Sequence, residues 1–172
     1  DISSTLDLPT VMDRIARHAM DLTSADNSAI FLPNPGGQTY RAIVAIGNMA
    51  EALQSAEIKA GAGIIGNLLQ SGRAEFVNDT GSDTRAIQLA GTLKQQHERL
   101  MVAPLMAVKV VKGAMAVWRT GGQPFDSSGL DFLVGLSLQA TVAIENVWLF
   151  HETQEALERQ TATAEILKVI SG

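Results

Sequence analysis

The chain has 172 residues, of which 46% are hydrophobic and 18% are charged, with 13 basic and 18 acidic side chains and no cysteine. This length favours one domain with a buried core, the net charge of −5 argues against a nucleic-acid partner, and the lack of cysteine excludes disulfides, thiol nucleophiles and thiolate metal ligands. No apolar run is long enough to predict a membrane-spanning helix, so we expect a soluble, cytoplasmic domain with no membrane insertion.

The N-terminal part of the chain alternates helical and strand patterns. Apolar residues recur at helical spacing over about 8–24, and Pro9 near the start of this range suits the first turn of a helix. Two short apolar runs, 27–32 and 40–46, flank a turn rich in proline and glycine and predict an antiparallel hairpin. Asn48 with Glu51 three residues later resembles a capping box and predicts a short helix.

The glycine-rich string of 61–66 matches the spacing of a dinucleotide-binding fingerprint. The strand before it is too short for that motif, however, and no βαβ unit follows. We therefore interpret the string as a tight turn that leads into a helix over 64–70. A short strand over 74–78 and a helix over about 84–97, capped by Asp83, are predicted next.

Two strands, 100–107 and 110–118, and a long helix over about 128–170 complete the predicted elements. Together these elements predict an α+β fold: a central, mainly antiparallel sheet of about six strands with helices on both faces, the long N- and C-terminal helices lying on one face. Beyond residue 150 the apolar positions thin to a sparse seam with charged flanks, which is typical of a helix that pairs with a partner helix; the alternative is a frayed, solvated tail. We therefore expect one domain over 1–150 and a linker helix over 151–172 toward a following domain.

The segment around 74–85 is the best candidate for a binding site. Asn78 and Asp79 could form hydrogen bonds with a ligand, and Arg85 near a helix start could hold an anion. The alternative, which we favour for the individual residues, is that Asp79 and Asp83 cap turns and Arg85 closes a salt bridge. The three histidines are not spaced as metal ligands, and no catalytic motif is present, so we expect no metal site and no catalytic residues.

Several short motifs, weak alone but in a consistent order over about 8–150, resemble the GAF domain, a small-molecule-sensing and dimerising module of signalling proteins. The motifs are Gly61-Ala-Gly-Ile-Ile-Gly66, Phe76-Val-Asn-Asp79, Asp83-x-Arg85, Met101-Val-Ala-Pro-Leu105, Gly113-Ala-Met-Ala-Val117 and Leu136-x-x-Gln139-Ala-x-x-Ala-Ile-Glu-Asn146. The tail from Glu155 to Gly172 resembles the linkers between tandem sensor domains of bacterial histidine kinases and nucleotide cyclases. By that resemblance, the chain is part of a larger receptor with flanking sensor and output domains.

The resemblance also implies a ligand pocket between the sheet and the segment 61–90, with a floor near Ile30. The residues expected to bind a ligand are Phe76, Asn78, Asp79, Asp83, Arg85, Met101, Ala103 and Met115. Members that attach a bilin or reduce methionine sulfoxide use cysteine, which is absent here, so no cofactor is expected. The motif of cyclic-nucleotide-binding members fails at three places. The small and flexible residues expected at the floor would suit an apolar or aromatic ligand; they would equally suit a pocket that is collapsed and empty.

Surplus apolar surface on the last helix predicts a homodimer held by a bundle of the first and last helices. The residues expected at the interface are Ala140, Ile144, Val147 and Leu157. Two functions stay open, a ligand-gated sensor and a structural dimerisation spacer with no ligand, with a cyclic-nucleotide-binding module as a weaker third. The polar cluster at 78–85 favours the sensor.

Overall fold

The computed structural model describes residues 7–88 and 97–171, and the side chains among them except those of 151 and 163–171. Four helices and six strands are described. In chain order they are α1 (Leu8–Thr23), β1 (Asn27–Pro33), β2 (Thr39–Gly47), α2 (Ala50–Ser55), β3 (Ile58–Lys59), α3 (Gly63–Ser71), β4 (Glu75–Val77), a 3-10 turn (Thr80–Ser82), β5 (Glu98–Ala107), β6 (Val110–Thr120) and α4 (Ser127–Ser171).

The six strands form one sheet in the order β3-β2-β1-β6-β5-β4, and every neighbouring pair is antiparallel. Two hairpins, β1–β2 and β5–β6, supply most of the sheet, and they join through the pairing of β1 with β6. The predicted α+β architecture with about six antiparallel strands is confirmed.

The sheet is buried on both faces because helices cover each of them, and side chains alternate between the two faces along each strand. On one face, Ile30, Met101 and Met115 belong to a core shared with α1 and the first half of α4. On the other face, Phe31 and Val102 belong to a second core shared with α2 and α3. Burial on both sides explains why the central strands read as continuous apolar runs.

The helix α4 is 45 residues long and changes surroundings along its length. Up to residue 147 one of its faces is buried against the sheet and α1, whereas all described side chains over 152–162 are exposed. By length and composition alone, α4 is apolar enough to cross a membrane, a test that the core helix of a soluble protein also passes. One apolar face is part of the domain core, and further apolar residues, Leu138, Val142 and Leu149 among them, are exposed.

Two local predictions on the described residues are wrong. Residues 84–85 form a turn and 86–88 are irregular, whereas a helix was expected; the rest of that predicted helix, 89–96, lies outside the described residues. The Asp83 carboxylate accepts the backbone N–H of Arg85 at 2.8 Å, a local bond that competes with helix formation. Asn48 does not cap α2, because its side-chain oxygen accepts a hydrogen bond from the amide of Asn27.

Three of the residues predicted at a dimer interface are also placed elsewhere. Ala140, Ile144 and Val147 are 0%, 1% and 7% exposed and belong to the domain's own core, so they cannot meet a second chain. Leu157, the fourth, is 55% exposed. The helix is apolar on two sides, and the sequence alone does not tell which side meets the sheet.

Candidate functional site

A cleft of about 220 Å³ lies on the face of the sheet that carries α3. Its floor consists of Leu100 and Trp118, which are directly paired across β5 and β6 and are 5% and 6% exposed. The buried residues Ile64 and Ile65 form a wall at the start of α3. Further lining comes mostly from apolar residues of the surrounding segments: Met49, Ile58, Ala62, Gly63, Ala86 and Ile87.

A few polar groups reach this apolar cleft. Thr80 is 8% exposed and donates its hydroxyl hydrogen bond to Oε1 of Glu98 at 3.0 Å. Glu98 is half-buried at the start of β5, two residues before Leu100 on the same face of the sheet. Glu57 and Lys59 line the cleft as exposed residues at its rim.

The glycine-rich turn brings α3 against this cleft, as the sequence predicts. The N–H of Gly61 donates to the carbonyl oxygen of Gly66 at 2.7 Å, and the N–H of Ala62 donates to that of Lys59 at 3.0 Å. A Cβ atom at position 66 would lie 2.3 Å from the carbonyl oxygen of Lys59, so a larger residue does not fit without movement of the backbone. The turn is therefore structural.

None of the eight residues predicted to bind a ligand lines this cleft. Met101, Ala103 and Met115 lie in the core on the opposite face of the sheet, and Phe76 packs against that same core. Together with Ile30, they were expected to surround the pocket, and that expectation is wrong. In β5 the error is one position, since Leu100, which lines the cleft, is the direct sequence neighbour of Met101, which faces the other way.

Asn78 is engaged in a clamp on the segment that precedes α4. Its side-chain oxygen accepts the backbone N–H of Phe125 at 2.7 Å, and its side-chain amide donates to the carbonyl oxygen of the same residue at 3.0 Å. Both polar ends of the side chain are therefore used. Asn78 connects the end of β4 to the start of α4.

The three charged residues predicted at the site are held by internal contacts. Asp79 caps the 3-10 turn by accepting from the N–H of Gly81 and the hydroxyl of Ser82. Arg85 pairs with Asp83 at 2.8 Å and with Glu75 at 2.6 Å. The side-chain hydrogen bond from Arg85 holds the pKa of Asp83 below its usual value, and the bonds to Asp83 and Glu75 raise the pKa of Arg85. These contacts match the alternative that the sequence left open, turn caps and a salt bridge.

Two arginines, paired directly across β5 and β6, bind the loop between β6 and α4. Arg99 donates to the carbonyl oxygens of Asn78, Gly121 and Gly122 at 2.7, 3.3 and 3.1 Å. Like charges on directly opposite positions of a sheet repel, and here carbonyl oxygens accept hydrogen bonds from both arginines. No motif in the sequence marks this role.

Arg119 makes the corresponding contacts on the side of α1. Its guanidinium group donates to the carbonyl oxygens of Thr23 and Ser24 at the end of α1 and to that of Gln123. It also lies over the ring of Phe125, 4.4 Å from the ring centroid. The end of α1, the sheet and the segment before α4 are thereby joined at one point.

A family model described as GAF_2: GAF domain matches residues 5–145 of the chain. The fold is similar to the GAF domain of a phosphoenolpyruvate-protein phosphotransferase from Acinetobacter, at 20% identity, with 83% of this chain and 84% of that chain covered and a TM-score of 0.72. It is also similar to the second GAF domain of DevS from Mycobacterium smegmatis, at 21% identity, 88% and 99% coverage and a TM-score of 0.66.

A third similar structure is the free methionine-R-sulfoxide reductase from Neisseria meningitidis in complex with its substrate, at 15% identity, 84% and 81% coverage and a TM-score of 0.71. No curated protein matches the chain. At these sequence identities the structural likeness establishes the fold alone. The assignment of the chain to a family rests on the match over residues 5–145.

Proposed function

Because the chain belongs to the GAF domain family, we propose that it is a sensory module that binds a small molecule in the cleft above Leu100 and Trp118. The observation that carries this proposal is the cleft itself, which has apolar walls and a few polar groups that reach into it. That combination is typical of small-molecule sites in proteins. The signal would leave the domain along α4, which continues well beyond the sheet.

GAF domains are generally regulatory rather than catalytic, and a regulatory, non-enzymatic function is assigned to this chain. One similar structure is nevertheless a reductase. Members of the family that reduce methionine sulfoxide use cysteines, and this chain has none. Regulation through binding is therefore the function that the family and the sequence support.

A short connection leads from the cleft to α4. Thr80, in the wall of the cleft, stands two residues after Asn78, whose side chain clamps Phe125. α4 begins at Ser127, two residues beyond Phe125. A ligand that displaces the turn containing Thr80 would therefore act on the clamp and, through it, on the direction in which α4 starts.

We further propose that two copies of the chain associate through α4, within a cytoplasmic receptor that carries flanking sensor and output domains of the histidine kinase or nucleotide cyclase type. Leu138, Val142 and Leu149 are 55%, 55% and 59% exposed and lie on the face of α4 opposite the core. Their spacings of four and seven residues are those of a coiled-coil seam. The same surface would serve a dimerisation spacer that binds no ligand.

Light scattering at tens of micromolar protein tests the dimer. We expect a dimer for the native sequence and a monomer when Val142 and Leu149 are both replaced by Glu, because charges at a helical seam oppose association. The matched control is Val110→Glu, which changes an equally exposed residue at the start of β6. A monomeric native protein would contradict this part of the proposal.

Native mass spectrometry of gently purified protein tests the ligand. We expect a bound small molecule that is absent from Ala86→Trp, where the larger side chain fills the cleft. Thr84→Trp is the control, since Thr84 is exposed nearby but does not line the cleft. A native protein that carries no bound mass would instead support the spacer function.

A further inference from the structure

The cleft combines an aromatic floor with a carboxylate, and this pairing indicates the charge of its ligand. Glu98 is half-buried, and one of its oxygens accepts from Thr80. A carboxylate offers about four acceptor positions, so Glu98 can accept further hydrogen bonds. Among the described residues, no basic side chain forms an ion pair with it.

The other charged residues of the cleft do not offset this carboxylate. Lys59 is the basic residue among the described lining residues, and it is exposed at the rim, as is Glu57. Among the described lining residues, the charge that reaches into the cleft is therefore negative. Trp118 lies at the floor beside Leu100, and the face of an indole ring attracts cations.

Resting on the function proposed above, we infer that the ligand is an organic cation: a primary or secondary amine on a small aromatic or branched apolar body. Its ammonium group donates to Glu98, and its apolar body packs on Trp118 and Ile65. A cavity on the order of 150 Å³ is enough for a benzene ring, so about 220 Å³ accommodates a ring with a short amine chain. Inorganic anions and dicarboxylates are disfavoured by the same carboxylate.

Three probes of one shape test this inference: phenethylamine, 2-phenylethanol and 3-phenylpropionate. The chain has two tryptophans, so Trp148→Phe leaves Trp118 as the fluorescent reporter at the floor of the cleft. We expect phenethylamine to bind about tenfold or more tightly than the alcohol, and the acid to bind most weakly, since a charge-assisted hydrogen bond is stronger than a neutral one.

The variant Glu98→Gln keeps an oxygen that accepts from Thr80 and removes the negative charge. It should lower the affinity for phenethylamine about tenfold and change that for 2-phenylethanol little. Glu51→Gln is the control, since Glu51 is an exposed acidic residue of α2 that does not line the cleft, and we expect it to change amine affinity less than about threefold. An equal effect of the two variants would contradict the assignment to Glu98.

The outcomes separate this inference from the proposed function. Tighter binding of the alcohol or the acid, reported by Trp118, would overturn the cationic ligand and leave the cleft as a binding site. No response of Trp118 to any probe at millimolar concentration would also overturn it. In that case native mass spectrometry of the Ala86→Trp pair still decides whether the cleft binds another molecule.

Discussion

Replacing Asn78 with Ala should loosen the start of α4. The change removes two hydrogen bonds, of 2.7 and 3.0 Å, to the backbone of Phe125, a residue that is 5% exposed. Each bond contributes about 1 kcal/mol to the free energy of unfolding, so the loss is about 2 kcal/mol, and more if the buried backbone groups stay unpaired. For a domain of this size that corresponds to a fall in melting temperature of about 4–8 °C.

Urea unfolding combined with amide hydrogen exchange measures this effect. The amide of Phe125 should exchange faster in Asn78→Ala, because its acceptor is gone. Asn78→Asp keeps an acceptor for that amide and loses only the donor, so it should show about half of the destabilisation and retain the protection of Phe125.

The neighbouring variant Asp79→Ala is the matched control. Asp79 caps an exposed 3-10 turn, so its removal should cost about 0.5–2 kcal/mol without faster exchange at Phe125. The reasoning would be refuted if Asn78→Ala unfolded like the native protein, or if Phe125 kept its full protection in that variant.

Three further outcomes follow from the packing and the charges. Gly66→Ala should destabilise the domain by about 1–3 kcal/mol, since its Cβ would meet backbone, whereas Gly135→Ala, with open space at an exposed helical site, should stabilise it by about 0.5–1 kcal/mol; chemical denaturation compares them. By the same assay Ile144→Ala should cost about 2–5 kcal/mol and Leu149→Ala less than about 0.5 kcal/mol, because only the first leaves a cavity. Asp83→Asn should be less stable than the native protein near pH 7, by about 1 kcal/mol or less, because the pair is partly exposed to solvent. Because folding lowers the pKa of Asp83, its carboxylate stabilises the native protein above the usual value of 3.8, and this stabilisation is lost as the pH falls from 3.8 through the lowered pKa of the folded state. Urea titrations at several pH values test this direction.

Hydrophobic periodicity was sufficient to predict most of the elements. The hairpin of β1 and β2 and that of β5 and β6 stand within about two residues of their expected limits, because turn residues separate their apolar runs. The helix predicted after β4 was wrong over the described residues, because Asp83 and Arg85 form hydrogen bonds with each other locally. Short-range bonds of this kind compete with helix formation and leave no mark in a hydrophobic pattern.

The faces of the sheet could not be assigned from the sequence. In β5 both Leu100 and Met101 are buried, on opposite sides, so no alternation of polar and apolar residues indicates which one faces the cleft. The same ambiguity affects α4, where Ile144 is in the core and Leu149 is exposed. Glu98 and Thr80 come together only through the pairing of strands, a relation between distant segments.

The length of α4 beyond the sheet turns a small rotation into a large displacement. Residues 151–171 extend the helix by about 30 Å past its packed half, at 1.5 Å per residue. A tilt of about 10° at the point where the helix leaves its packed half would move the far end by about 5 Å, roughly the length of one helical turn. Residues 151–171 need no contact with the cleft, because a rigid helix transmits a change in direction along its whole length.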